Sequence, residues 1–294
     1  MKRFAIRNPL CLLLAAALAL PLMGCGGGKA PGDGKNPDKI TVAVTIAPEA
    51  AFVGAVCGDL VEIVSMVPPG ASAETFEPSP AQMEELNRAS IYFAIGMPVE
   101  EAYILSSIPE GIGVVPLQDE VAAVYAPRVF DAGEPDPHIW LSPGRAKVMI
   151  EAISREMAAL DPANAEIYAE NARAYRAELD ALDEYIRAAL ADTAKKTFIV
   201  YHPAFGYFAE DYGLAMVALE EEGKEATAQR LEEVADFARE NGIKFVFYQE
   251  EMSIRQAAAF AEEIGGEAVM LSPLSEDYIN NLMAMADALA EALK

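Results

Sequence analysis

The chain has 294 residues, enough for one large domain or two lobes, and a formal net charge of −24. A surface this acidic repels nucleic acid and anionic lipid headgroups, so we exclude nucleic acid as a partner. Of the three cysteines only Cys57 lies beyond the first 25 residues, and no disulfide is expected in the folded body.

The N-terminus has the pattern of a secretory signal. Basic residues precede an apolar stretch at 10–22 that is too short for a membrane span, and we predict a signal peptide at 1–24. Removing it takes away three positive charges and changes the formal charge from −24 to −27. The signal ends in "LMGC", which is similar to a bacterial lipobox and predicts lipid attachment at Cys25. Ordinary cleavage and an uncleaved anchor are the alternatives. Residues 25–37, rich in glycine and proline, are the predicted flexible tether.

Short apolar runs then alternate with helical patterns, and we predict an N-terminal α/β lobe at 38–143. The predicted strands are 40–46, 61–67, 91–95 and 113–117. The predicted helices are 48–57, 80–88 and 98–107. This alternation, with nearly continuous apolar strands, favours a parallel sheet that is covered on both faces.

A helical segment at 144–194 follows. Within it, residues 161–192 contain no glycine and one proline, with Asp161 as the expected N-cap and Pro162 in the first turn. One apolar stripe runs along this helix: Tyr168, Ala172, Tyr175, Leu179, Leu182, Ile186 and Leu190. We predict a stiff helix of about 28 residues, about 42 Å long, between two lobes. A coiled-coil helix that needs a partner is the alternative.

The alternation resumes at 195–294, the predicted C-terminal lobe. Its predicted strands are 197–201, 214–219, 245–248 and 268–271. Its predicted helices are 203–211, 227–240, 253–264 and 275–293. The predicted fold class is therefore α/β: two lobes, each with a four-stranded, mainly parallel sheet, joined by one long rigid helix. In such folds ligands bind beyond the carboxyl ends of the strands.

The only two histidines of the chain fall in loops of that kind, one in each lobe. His138 lies in "DPHIWLSP", the last loop of the first lobe, and His202 directly follows strand 197–201. Glu74 lies in the loop after strand 61–67. Imidazole and carboxylate are ligands of Zn²⁺ and of Mn²⁺. Each residue alone has an ordinary capping or packing interpretation, but together they predict a metal site.

At this point the chain resembles a known family, the TroA-like, ZnuA-type solute-binding lipoproteins of ABC metal importers. The resemblance runs from about residue 38 to the C-terminus and includes "VAVTIAPEAAFVGAVCGD", "VPPGASAETFEPSPAQMEEL", "DPHIWLSP", "FIVYHPAFGYFAEDYGL", "GKEATAQRLEEV" and "LSPLSEDYINNLMAMADAL". It implies a receptor, not an enzyme, that captures a divalent metal between two lobes and delivers it to an ABC permease and its ATPase. It also implies a periplasmic or outer-surface location, reached through the anchor on Cys25, and we expect a monomer.

The resemblance assigns the metal ligands residue by residue. His138 and His202 match two histidine positions of the family, and Glu74 stands where the family usually has another histidine. A carboxylate is a harder ligand than imidazole, so this change tilts selectivity slightly toward Mn²⁺ or Fe²⁺. Zn²⁺ remains the favoured cargo, with Mn²⁺ and Fe²⁺ as alternatives.

The fourth ligand is open, because Ser272 stands where the family often has aspartate. Glu250 or Glu251, which follow strand 245–248, is our candidate for this role. A bound water is one alternative. The remaining alternative sources are Glu220, Glu221 and Glu222.

Three other functions stay open from the residues alone. Two histidines, a carboxylate and an open position would also suit a metallohydrolase. The departures at Glu74 and Ser272 would suit a receptor for a chelated metal or an organic solute. A role in cell adhesion is the third.

Overall fold

The structure, a computed structural model, describes residues 39–130, 133–220, 226–251 and 254–294. It contains two four-stranded parallel sheets with the same strand arrangement, β2-β1-β3-β4 and β6-β5-β7-β8. The predicted fold class is therefore confirmed. The first sheet consists of β1 (Ile40–Val44), β2 (Val61–Ser65), β3 (Ile91–Ala94) and β4 (Gly113–Pro116). The second consists of β5 (Thr197–Val200), β6 (Ala215–Ala218), β7 (Phe245–Gln249) and β8 (Glu267–Leu271).

Nine α-helices are found in the described residues. Those of the first half are α1 (Ala47–Cys57), α2 (Pro80–Leu86), α3 (Leu117–Ala122), α4 (Pro143–Leu160) and α5 (Ala165–Leu190). Those of the second half are α6 (Gly206–Asp211), α7 (Ala228–Glu240), α8 (Ile254–Glu263) and α9 (Tyr278–Ala292). No helix of the described residues is long and apolar enough to span a membrane.

Several helices begin at residues whose side chains satisfy free backbone amides. Ser79 accepts the Gln82 amide at the start of α2, and the Gln82 side chain accepts the Ser79 amide in return. Ser142 and Thr227 cap α4 and α7 in the same way, through the amides three residues later. These caps satisfy amides that have no partner within the helix and so fix where each helix starts.

The long helix α5 has 26 residues and is therefore about 39 Å long. Six members of the predicted stripe are buried and the seventh, Tyr175, is partly buried. The stripe packs on α1, α4 and α9 of the same chain, so the coiled-coil alternative is wrong. One hydrophobic cluster continues from β1 through α5 to α9. Because α5 shares this core with the elements on both sides, it is packed along its length and makes the molecule stiff.

The structure differs from the sequence-based expectation at three places. Residues 98–107, predicted as one helix, form a π-helix at Glu100–Ile104 and a 3₁₀ turn at Leu105–Ser107. The buried Glu100 carboxylate accepts the backbone amides of Ile95 and Gly96, which ties the start of this segment back to β3. Helix α3 was not predicted, because its first residue also ends the apolar run assigned to β4.

The third difference concerns the start of α5. Asp161 ends α4 instead of capping α5, and a 3₁₀ turn at Pro162–Asn164 intervenes. The Asp161 carboxylate accepts the Asn164 amide group at 2.6 Å and the Tyr168 hydroxyl at 2.8 Å.

The predicted lobe and segment boundaries, 38–143, 144–194 and 195–294, stay predictions. The signal peptide, the tether and Cys25 lie outside the described residues.

Candidate metal centre

Three loops bring one side chain each to the cleft between the sheets. Glu74 lies in the loop between β2 and α2, and His202 lies two residues after β5. His138 directly precedes a 3₁₀ turn at Ile139–Leu141, ahead of α4. Two loops therefore come from the first half of the chain and one from the second.

The ligand atoms of Glu74, His138 and His202 all lie within 4.8 Å of one another. The Nε2 atoms of the two histidines are 3.3 Å apart. The Glu74 Oε1 atom is 2.8 Å from His202 Nε2 and 3.9 Å from His138 Nε2. Each histidine is only 3% exposed. Two imidazole nitrogens and one carboxylate oxygen therefore converge from three directions on one small volume, the arrangement that a tetrahedral transition metal requires.

A carboxylate holds the far side of the His138 ring. The Asp136 Oδ1 atom accepts the His138 backbone amide at 3.0 Å and lies 2.8 Å from His138 Nδ1. The Asp136 carbonyl in turn accepts the Tyr207 hydroxyl at 3.1 Å. With its proton on Nδ1, His138 presents an Nε2 lone pair to the centre.

The segment before His138 passes very close to the start of α6. A Cβ atom at Gly206 would meet Arg128 Nε at 2.6 Å and Asp136 Oδ2 at 2.7 Å. Glycine is therefore required where Asp136 and Arg128 cross this backbone. The close approach joins the His138 loop to the helix that begins four residues after His202.

The His202 ring has the same kind of support from another source. Its Nδ1 atom is hydrogen-bonded to the Glu220 carboxylate, which follows β6 and is 6% exposed. Burial alone would lower the pKa of His202, but the hydrogen bonds and charges of Glu220 and Glu74 raise this pKa to about 9. Burial works to raise the pKa of Glu74, yet the hydrogen bond from His202 and the charges of both histidines lower it.

The three ligand atoms border a cavity of about 20 Å³. This volume accommodates about one water-sized sphere, which suits a single ion and is far too small for an organic solute. A wider surface depression of about 700 Å³ lies on one side and shares Glu74 and Met97 with the cavity. The cavity is lined by Ser72, Ala73, Glu74, Met97, His138, Trp140, His202, Gln249, Glu251, Pro273 and Leu274.

The structure separates the two candidates for a fourth ligand. Glu251 lines the cavity, and burial raises the pKa of its carboxyl group. Glu250 is exposed, does not line the cavity, and accepts a 3.5 Å hydrogen bond from the Ser272 hydroxyl. Of the other acidic candidates, Glu220 is held by His202, and Glu221 and Glu222 lie outside the described residues.

Two residues of the candidate metal site, Asp136 and Gln249, were not predicted from the sequence. Asp136 was not singled out, although its position two residues before His138 is the signal for a side chain that bonds the following backbone. The buried Gln249, which also lines the cavity, has no signal in the sequence beyond its place at the end of β7.

Comparison with known proteins identifies the family of the chain. Residues 42–292 match the family described as ZnuA, zinc-uptake complex component A, periplasmic. The high-affinity zinc uptake system protein ZnuA of Bacillus subtilis strain 168 is 27% identical over 308 aligned residues, which cover 96% of this chain and 97% of that protein.

Solved structures share the fold. A crystal structure of a ZnuA is 34% identical, covers 87% of this chain and 100% of its own, and superposes with a TM-score of 0.82. The periplasmic zinc-binding protein TroA from Treponema pallidum is 20% identical, with coverage of 87% and 99% and a TM-score of 0.81. The family match spans most of the sequence, and the chain belongs to the ZnuA family of periplasmic zinc-uptake components.

Proposed function

We propose that this protein is the extracytoplasmic receptor of an ABC zinc importer. It captures Zn²⁺ between its two lobes and delivers the ion to a membrane permease driven by an ATPase. The convergence of His138, His202 and Glu74 on one small cavity is the observation that carries this proposal. Membership of the ZnuA family supports the same cargo and the same transport system.

The donor set favours zinc over harder ions. Two imidazole nitrogens and one carboxylate oxygen match the mixed nitrogen and oxygen sites in which Zn²⁺ is four-coordinate. We infer that Glu251 or a water supplies the fourth position, because Glu251 lines the cavity and Glu250 does not. Glu74 in place of a third histidine keeps Mn²⁺ and Fe²⁺ as weaker alternatives.

The other candidate functions have less support. An organic solute would need a pocket of several hundred Å³ around the histidines, and the cavity has about 20 Å³. The ZnuA family is a family of uptake components and not of enzymes, so the metallohydrolase alternative is set aside.

We further propose that residues 1–24 are removed as a signal peptide and that a lipid on Cys25 anchors the monomeric receptor outside the cytoplasmic membrane. The "LMGC" sequence and the glycine-rich residues 25–37 support this anchoring. The tether would let the folded body reach a permease in the same membrane.

The stiffness of the molecule restricts how the ion is captured and released. The core shared by α5 and both lobes opposes wide opening. Trp140 of the His138 loop also donates its indole N–H to the Pro273 carbonyl at 2.8 Å, which ties that loop to the second lobe. Capture and release therefore proceed through small local changes in the loops and through protonation, because imidazole binds metal only when it is neutral.

Metal titration tests the proposal. The protein, purified without a histidine tag and stripped with a chelator, is titrated with Zn²⁺, Mn²⁺ and Fe²⁺ in competition with a chromogenic chelator. We expect one tight zinc site, weaker binding of the other two ions, and a large loss of zinc affinity in His138→Ala and in His202→Ala. If neither substitution weakens binding, the assigned site is wrong, and if the wild type binds no zinc, the proposed function is wrong.

A further inference from the structure

We propose that Glu220 is a positioning residue of the zinc site: it is not a ligand, but it fixes the ring of His202 so that Nε2 faces the ion. This inference rests on the proposed function and deepens it. The contact between Glu220 and His202 arises from the pairing of two strands, and we expect it to affect the affinity for zinc.

The register of the second sheet brings these two residues together. The β5–β6 pair keeps a constant offset of 18 residues, for example with Val200 opposite Ala218. Beyond the strands, the Glu220 amide still donates to the Tyr201 carbonyl at 3.0 Å. The same offset places Glu220 beside His202. The contact is therefore set by backbone pairing and not by the chance packing of two loops.

The atoms involved separate positioning from ligation. The Glu220 carboxylate is bonded to His202 Nδ1, whereas His202 Nε2 points at Glu74 Oε1, 2.8 Å away, and at His138 Nε2, 3.3 Å away. The two ring nitrogens face opposite edges of the imidazole. An oxygen that holds Nδ1 therefore lies on the far side of the ring from an ion at Nε2, and Glu220 is not part of the cluster of converging ligand atoms.

A bond at Nδ1 has two consequences for metal binding. It holds the proton on Nδ1, which leaves the Nε2 lone pair available, and it prevents the ring from turning about its bond to the backbone. It also makes Nε2 more basic and so a stronger ligand. Glu220 is only 6% exposed, so water does not compete strongly for this bond.

The two histidines thus have equivalent supports of different origin. Asp136 holds the His138 ring from two residues away in the chain, and Glu220 holds the His202 ring from 18 residues away across a sheet. Each support adds a buried negative charge close to the site. Together with Glu74, these carboxylates offset the charge of a divalent ion in a region that water reaches poorly.

The test compares Glu220→Gln and Glu220→Ala with Glu262→Gln, which removes the same charge from an exposed position of the second lobe. Outer partners of metal-bound histidines typically contribute about 10–100-fold to affinity. We expect Glu220→Ala to weaken zinc binding by about that factor, and Glu220→Gln, which keeps an oxygen acceptor, to weaken it by less. Glu262→Gln should stay within about twofold of wild type, because an exposed charge is screened by solvent and salt. Glutamine has nearly the shape of the native side chain, so Glu220→Gln tests the positioning role if Glu220→Ala does not fold.

A spectroscopic measurement distinguishes positioning from a general effect on structure. The chain has only two histidines, so long-range ¹H–¹⁵N spectra of the zinc-loaded, tag-free protein contain only four imidazole nitrogens. We expect a protonated Nδ1 and a metal-bound Nε2 on both rings of the wild type. Glu220→Ala should shift or broaden the Nδ1 signal of His202 and leave that of His138 in place.

The outcomes are separable. If the wild type binds zinc and both Glu220 variants behave like Glu262→Gln, this inference is wrong and the proposed function stands. Zinc bound through Nδ1 of His202 in the wild type would also overturn it. A wild type that binds no zinc removes the inference together with the proposed function.

Discussion

The two sheets carry glutamates near the carboxyl ends of their strands and use them differently. In the first lobe Glu49 and Glu100 are 0% and 1% exposed and turn inward. Glu49 accepts the amides of Thr45 and Ile46, and Glu100 accepts those of Ile95 and Gly96. In the second lobe Glu220 bonds the ring of His202, one of the proposed metal ligands.

This difference shows that a place at a strand end does not by itself make a ligand. Backbone amides of the first lobe bond one oxygen of Glu49 and both oxygens of Glu100, and neither side chain lines the metal cavity. Burial raises the pKa of Glu49 and of Glu100, and the charge of Glu100 adds to the effect on Glu49. The carboxylates around the cleft instead meet histidine nitrogens, and Glu74 has a lowered pKa for that reason. We therefore expect the inward glutamates to be structural and Glu74 to be the glutamate that binds the ion.

The largest expected effect comes from making the same substitution in both regions. Glu74→Gln removes the anionic ligand and should weaken zinc binding by roughly 100-fold or more, at or beyond the upper end of the effect of outer partners. Glu49→Gln keeps the oxygen that accepts the two amides and should leave zinc affinity within about twofold. Competition with a chromogenic chelator measures both. Equal effects of the two variants would contradict the division into binding and structural glutamates.

The next effect is the dependence of zinc affinity on pH. The pKa of His202 is raised to about 9, so below that pH an incoming ion must displace a proton from this ring. Affinity should therefore fall as pH falls, by up to about tenfold per pH unit between pH 8.5 and 6.5. Calorimetric titration in buffers of different ionisation enthalpy should detect one proton released per zinc near neutral pH. Constant affinity across this range, with no proton release, would contradict the raised pKa.

Selectivity should respond to Glu74 by a smaller factor. Glu74→His restores the histidine of the family pattern and replaces a hard oxygen by a borderline nitrogen. We expect the ratio of zinc to manganese affinity to rise by about tenfold. Parallel titrations with the two ions measure this ratio, and Glu250→His provides a control at an exposed position that does not line the cavity. An unchanged ratio in Glu74→His would remove Glu74 as a determinant of metal choice.

The free energy of unfolding should change by a modest amount when Glu49 of the first lobe is substituted. The folded-state pKa of Glu49 is raised above its unfolded value, so its favourable contribution is complete below the unfolded pKa and disappears as pH rises through the folded pKa. Glu49→Gln cannot ionise and should gain about 1 kcal/mol of unfolding free energy over wild type at pH 8, with a smaller gain at pH 4.5. Urea denaturation of the metal-free proteins at the two pH values measures the difference. A gain that is as large at pH 4.5 as at pH 8 would show that ionisation is not its cause.

The smallest expected effect is on overall dimensions. Because α5 is packed along its length in a core shared by both lobes, zinc should change the radius of gyration by less than about 2 Å. Small-angle scattering of the metal-free and loaded forms measures this quantity. A larger contraction on loading would mean that the lobes close around the ion and that the helix is not a stiff strut.

Much of the fold was predictable because its signals are local. Six of the eight strands in the described residues lie within the predicted apolar runs, and β7 and β8 each extend one residue beyond theirs. The apolar stripe of α5 follows the helical repeat. The π-helix at Glu100–Ile104 escaped prediction because it depends on a buried carboxylate that bonds amides of another segment. No pattern in the sequence predicts which glutamate of an acidic chain is buried.

The candidate site also has residues that the sequence predicts and residues that it does not. His138, His202 and Glu74 were identified from motifs and from their places after strands. In the turn after β7, Glu250 is exposed and Glu251 lines the cavity, and a sequence of two adjacent glutamates does not distinguish them. The role of Glu220 required the β5–β6 register, which a sequence alone does not give.

The only tryptophan of the chain stands beside the site, with its ring centre 5.2 Å from that of His138. Trp140 is 1% exposed and lines the cavity, so its indole senses the charge and the motion of the neighbouring imidazole. The tryptophan emission of the unlabelled molecule therefore originates beside the candidate metal site. We expect uptake and release of zinc to change this emission, which would follow both events in real time without a dye and without altering a residue.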